Sequence, residues 1–267
     1  MLVLSETFGG YPAGTVLMAG MSVPPDYSQG RMELYASTDG GLTWRYVSRI
    51  AEGGRMTTKN GDKAIWEPFL LVHGDQLICY YSDQRNPLHG QKLVHTTTRN
   101  LRDWTPVTDD VAFPKYTARP GMAVVAHIRE TGKYIMTFEY VGSPTGGSPV
   151  WCKIADDPLS FARATAYPIK SSDGEIPDSS PYTIWVDVSS MSRSSGMLIM
   201  NAASHNQIWI NDASANPSNW TLFPSGQKRA HTRKLEVITN PKGVRKLMNC
   251  ELESTPRQIL NQEVLTF

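Results

Sequence analysis

Two glutamates stand in stretches where apolar strands are otherwise unbroken. Glu67 is wedged between Trp66 and Pro68 at the head of "IWEPFLLV" (65–72), and Glu139 lies near the close of "KYIMTFEY" (133–140). A carboxylate on such a strand is costly unless it is wetted, paired or used. Two carboxylates brought to one cleft are the minimum equipment for breaking a glycosidic bond, one attacking the sugar and the other handling protons. A plainer alternative stands beside that one: Glu67 tied to Arg119, and Glu139 capping an edge with Arg85, as structural ion pairs.

The elements that must position these acids are short strands. Runs rich in Val, Ile, Leu, Thr and Tyr alternate with clusters of Gly, Pro, Asn, Asp and Ser, which predicts an all-β chain. A repeat underlies them. "WEPFLLVHGDQLICYYSD" (66–83) aligns with "ARPGMAVVAHIRETGKYIMTFEY" (118–140), with "SSPYTIWVDVSSMSRSSGMLIMNAA" (179–203), which has a longer turn, and more loosely with "HTRKLEVITNPKGVRKLMNCELE" (231–253). Glu67, Arg119, Ser180 and Thr232 hold one slot of this repeat, at separations of 52, 61 and 52 residues. A further strand pair around an aromatic residue completes each unit. Four strands at such a period predict a β-propeller with approximate blades 1–57, 58–115, 116–176, 177–227 and 228–267 in one domain. With each first strand beside the channel, those four residues gather at one mouth and line a wet pocket. Residues 37–44, "STDGGLTW", match the Asp-box pattern of sialidase-like propellers. There Asp39 bonds amides of its own turn and Trp44 packs beneath, which makes the motif a marker of fold rather than chemistry.

Composition removes other classes. The 267 residues carry a formal net charge of +1 and offer no basic face for nucleic acid. Apolar runs such as "MAVVA" fall far short of the roughly 20 residues that cross a bilayer. Residues 1–20 lack the pattern of a signal peptide. Cys79, Cys152 and Cys250 form no metal motif and no disulfide framework, and no His/Asp/Glu spacing indicates a metal, so no cofactor is expected.

The runs "WEPFL", "YYSDQRNP", "GQKLVH", "YTARPGM" and "KYIMTFEY", in this order, resemble glycoside hydrolase family 93. The resemblance implies a six-bladed, sialidase-like propeller acting outside the cell on plant cell-wall arabinan. It implies release of arabinobiose from the non-reducing ends of α-1,5-linked chains with retention of configuration. Carried onto this chain, it makes Glu67 the nucleophile and Glu139 the general acid/base, with Arg119 keeping Glu67 ionised. Asp83 and Arg85 of "SDQRNP", Tyr116, Arg119, Ser180, Tyr182, His205, His231 and Arg233 are candidate substrate-binding residues. His231 departs from the tyrosine expected near the nucleophile. Five units against six imply a chain shortened at its N-terminus by about one blade, with both glutamates retained and its activity open to impairment. Two rival readings remain: an exo-sialidase, for which Arg119 and Arg233 supply arginines, and a carbohydrate-binding propeller without catalysis.

Overall fold

The structure, a computed structural model, describes residues 1–188, 196–212, 215–240, 242, 245–252 and 260–266, and of 251–252 and 260–266 the backbone alone. The longer turn expected in the third repeat falls on 189–195, outside the described residues, as do Pro241, Gly243 and Val244 of the fourth.

Among the described residues five antiparallel sheets follow one another, each a meander in which consecutive strands are neighbours. The first joins β1 (Leu2–Val3), β2 (Val16–Ser22), β3 (Arg31–Ser37) and β4 (Arg45–Glu52); the second β5 (Ile65–His73), β6 (Gln76–Asp83), β7 (Lys92–Thr98) and β8 (Thr108–Val111). The third joins β9 (Arg119–Ile128), β10 (Lys133–Val141), β11 (Val150–Ala155) and β12 (Ala166–Pro168). The fourth joins β13 (Tyr182–Val186), β14 (Met197–Asn201), β15 (Ile208–Asn211) and β16 (Thr221–Phe223). The last has β17 (Arg233–Thr239), β18 (Arg245–Leu252) and β19 (Leu260–Thr266). Successive meanders of this kind are the repeating element of a β-propeller. One 3₁₀ turn, Phe161–Arg163, is the helical piece among the described residues.

The chain divides into two compact units, Met1–Ala123 and Val124–Phe267. The first has a core of Leu17, Met32, Leu34, Leu77, Cys79, Tyr81 and Val94. The second has one core around Ile135, Val150, Met200, Trp209 and Trp220, and another around Val186, Ile199, Ile208, Leu235 and Leu247. Strands β6, β7 and β10 are covered along nearly their whole length, which explains why β6 and β10 read as long apolar runs rather than strict alternations. Each fully buried aliphatic side chain in them contributes about 1.5–3 kcal/mol of transfer free energy.

The odd acid beside proline has a backbone cause. Between β5 and β6 the register steps from Trp66↔Ser82 to Phe69↔Tyr80, so that Glu67 and Pro68 together oppose one residue. This is a β-bulge, a place where proline's missing N–H costs no ladder bond and where a side chain can be re-aimed. Glu67 sits there at φ +58°, a left-handed conformation that costs a non-glycine residue about 1–2 kcal/mol. The same signature returns at Met122 (φ +55°) in β9 and at Ser179 and Ser180 (φ +62° and +46°) just before β13. Backbone equivalence therefore pairs Glu67 with Met122 and Ser180. This corrects the sequence alignment, which put Arg119 in the shared slot because proline follows it.

The turn joining β3 to β4 is built as the motif predicts. Asp39 Oδ1 accepts the Ser37 hydroxyl at 2.7 Å and the Thr43 amide at 2.9 Å, and the Trp44 indole donates to the Gly41 carbonyl at 3.1 Å. Gly40 and Gly41 take φ +73° and +94°, open to glycine without penalty.

Candidate active site

In the first unit the bulge turns the half-buried Glu67 side chain toward two donors. The Ser82 hydroxyl donates to Glu67 Oε2 at 2.7 Å, and the backbone N–H of Met122 donates to the same oxygen at 2.8 Å. Arg119 reaches this neighbourhood through Gln91: its Nη2 donates to Gln91 Oε1 at 3.0 Å, while Gln91 Nε2 donates to the Pro120 carbonyl at 2.8 Å. Tyr116 is exposed, and its carbonyl accepts the Asn60 side-chain amide at 2.9 Å.

Asp83 and Arg85 lie elsewhere. Successive strand residues point to opposite faces, so Ser82 turning to Glu67 sends Asp83 the other way. Asp83 is 3% exposed and grips Arg85 with both oxygens, at 2.9 Å to Nε and 2.7 Å to Nη2. Burial opposes the guanidinium charge, but Asp83 and the Tyr81 hydroxyl outweigh it and raise the Arg85 pKa above the ordinary arginine value. The two line a cavity of about 490 Å³ with Tyr81, Lys92 and Val107; Glu67 is not among its walls. The ion pair of Arg85 is thus with Asp83, and Glu139 is held by other groups.

In the second unit Glu139, half-buried on β10, is held in the manner of Glu67. The Ser179 hydroxyl donates to Glu139 Oε2 at 2.8 Å, and the Ser180 N–H donates to the same oxygen at 3.0 Å. The segment bearing these donors is itself pinned. Ser179 N–H donates to the Ser148 carbonyl at 2.9 Å, Ser148 N–H to Asp178 Oδ2 at 2.8 Å, and Asp178 N–H to Ser204 Oγ at 2.9 Å. Ser204 Oγ lies 2.6 Å from Nδ1 of His205, whose Nε2 is 3.6 Å from Glu175. Tyr182 starts the next strand, and burial pushes its phenol up to about 12.

Arg233 and His231 are placed differently from one another. Arg233 is 1% exposed, and its guanidinium donates to the carbonyls of Ala202, His205 and Lys228. Enclosed in this way it ties a loop. His231 is exposed, with Nδ1 3.1 Å from the Thr232 hydroxyl, and Thr232 stands just outside β17.

Sequence reasoning passed over Ser82, Ser179 and Met122. The serines were visible as the residue before Asp83 and the doubled serine before Pro181. The Met122 donor is a backbone group and leaves no trace in residue type. Among the described residues no three His, Cys, Asp or Glu side chains converge to hold a metal ion.

No protein-family model matches the chain, and none of the curated proteins is similar to it. Solved structures are. The GH93 α-L-arabinofuranosidase of Fusarium graminearum in complex with arabinobiose shares 36% identity over 99% of this chain and 75% of its own, with a TM-score of 0.90. The Penicillium chrysogenum α-L-arabinanase complexed with arabinobiose also shares 36% identity over 99% and 75%, with a TM-score of 0.89. The α-L-arabinanase of Cellvibrio cellulosa, at 14% identity over 93% and 90% and a TM-score of 0.52, shares the fold alone.

Proposed function

This chain belongs to glycoside hydrolase family 93 and hydrolyses arabinan, and from that premise we propose that it releases arabinobiose from the non-reducing ends of α-1,5-linked L-arabinan with retention of configuration. Glu67 attacks the anomeric carbon while Glu139 gives its proton to the departing oxygen, so that an ester forms as the glycosidic bond breaks. Glu139, now a carboxylate, then takes a proton from water. The water oxygen displaces Glu67 from the same carbon, and both groups return to their starting state. Two displacements at one carbon restore the original configuration, provided the carboxyl groups meet the sugar about 5–5.5 Å apart.

The observation that supports these roles is the matched treatment of the two acids. In each case Oε2 accepts one serine hydroxyl and one backbone N–H, and that N–H belongs to a residue with positive φ. Donors fixed in advance on one oxygen orient the other oxygen for reaction without reorganisation during the step. The sialidase alternative loses its second arginine, because Arg233 is committed to backbone carbonyls. Action on a cell-wall polymer places the enzyme's work outside the cell. No helix among the described residues is long and apolar enough to cross a membrane.

Digestion of linear α-1,5-arabinan followed by proton NMR tests this reading. Arabinobiose should appear first, as the α anomer. First appearance of the β anomer would overturn retention, and a ladder of longer products would overturn exo action.

A further inference from the structure

We infer that the cavity holding Asp83 and Arg85 is a second carbohydrate site, separate from the site of Glu67, which takes a neutral arabino-oligosaccharide segment and keeps the polymer at the enzyme. The cavity lies within the first unit, lined by Ile50 and Ala51 of β4, by Tyr81 of β6 and Lys92 of β7, and by Val107 just before β8. Its volume, about 490 Å³, falls in the range of sites that enclose small ligands.

The chemistry of the walls selects the ligand. Arg85 is rigid, since Asp83, the Tyr81 hydroxyl (2.7 Å) and the Glu52 carbonyl (3.2 Å) occupy four of its five N–H groups. Lys92 is 5% exposed and has one partner, Asp109 Oδ1 at 2.5 Å. An ammonium carries three N–H groups, so two remain for acceptor oxygens in the open cavity that Lys92 lines. Each cation already has its carboxylate, Arg85 with Asp83 and Lys92 with Asp109. The cavity therefore has no surplus charge to select an ion. It offers fixed donors beside an apolar lip of Ile50, Ala51 and Val107, which suits a hydroxyl-rich, uncharged sugar.

The ligand's identity rests on the arabinan-hydrolase reading, and the two can fail separately. Calorimetric titration of the chain with arabinobiose should show two sites. Lys92→Met should weaken one by about tenfold or more, a loss expected when a charged hydrogen bond is removed. Val107→Trp should abolish the same site by filling it, and Val107 is 44% exposed, so the larger side chain does not disturb a core. Both variants should keep kcat on short oligosaccharides and raise KM on the polymer severalfold. Hydrolysis with one site that neither variant alters overturns the second site and spares the hydrolase reading. Variant-sensitive binding without hydrolysis does the reverse.

Discussion

The backbone N–H of Met122 donates to Oε2 of Glu67 at 2.8 Å across 55 positions of sequence, and both residues hold left-handed conformations. The Ser82 hydroxyl completes the pair of donors on that oxygen. Ser82→Ala removes the hydroxyl donor and leaves the Met122 N–H in place. We expect kcat to fall about 10–100-fold, the range for one charge-assisted hydrogen bond, with KM nearly unchanged. Steady-state kinetics beside a thermal melt check it; a matching rise in KM would assign Ser82 to substrate binding instead.

Glu139→Gln keeps shape and removes the proton that the departing oxygen needs. Loss of a general acid lowers rate by about 10²–10⁴-fold. Against an arabinoside whose leaving group is an acidic phenol, bond breaking should survive far better than against arabinan, because that oxygen departs without protonation. Adding azide should then restore turnover and yield an arabinosyl azide, since azide attacks the ester without a base. Equal losses on both substrates would take the acid/base role from Glu139.

Much of this arrangement was legible in the residues, and the part that was not has a physical reason. The repeat of strand, turn and strand could be read because apolar runs and turn residues mark β6, β10 and their hairpins directly. Glu67 announced itself as an acid beside proline. Its partner slot in the next sheet did not, because the sign of φ at Met122 has no signature in side-chain type, and Pro120 drew the alignment to Arg119. Asp83 and Arg85 were expected to share the Glu67 pocket. Ser82 faces Glu67 and Asp83 is its neighbour on β6, so alternation turns Asp83 to the other face, where Arg85 pairs with it.

Asp39 links the β3–β4 turn to acid stability. The Thr43 hydroxyl and amide, then the Ser37 hydroxyl, hold its carboxyl well below the usual carboxylate range. A carboxyl depressed by folding stabilises the fold above its unfolded value of about 3.9, and that contribution is lost as pH falls toward the folded value. The melting temperature of Asp39→Asn should therefore lie below that of the parent at pH 7, and the gap should close progressively below about pH 4. Activity on arabinan at pH 7 should be unchanged; a gap that persists at acid pH would mean the turn is held by something other than the ionised carboxylate.

The three cysteines should differ in reactivity. Cys79 and Cys152 are wholly buried, and burial pushes both thiols up, Cys152 to about 12. Cys250 is half-exposed; burial also raises its thiol, with Lys234 opposing the shift. The thiolate is the reactive form, so at pH 8 an aromatic disulfide reagent should titrate one thiol slowly in the native chain and three in guanidinium. Two fast native thiols would contradict the packing of the β6 or β11 core.

Arg233, a candidate substrate-binding residue in the sequence, supports the segment that holds Glu139. Its guanidinium donates to the carbonyls of Ala202 and His205, on the loop whose Ser204 receives the Asp178 amide, and Asp178 precedes the serines that hold Glu139. Replacing it with Leu removes donors from buried carbonyls, each costing about 1–3 kcal/mol when left without a partner. Arg233→Lys keeps the charge but lacks the planar fork that serves several carbonyls at once, so it should recover only part of the loss. Chemical denaturation should show both variants destabilised, with Leu worse than Lys. In the folded fraction, KM for arabinan should match the parent while kcat declines modestly through looser placement of Ser179. A rise in KM at unaltered stability would return Arg233 to the list of sugar contacts.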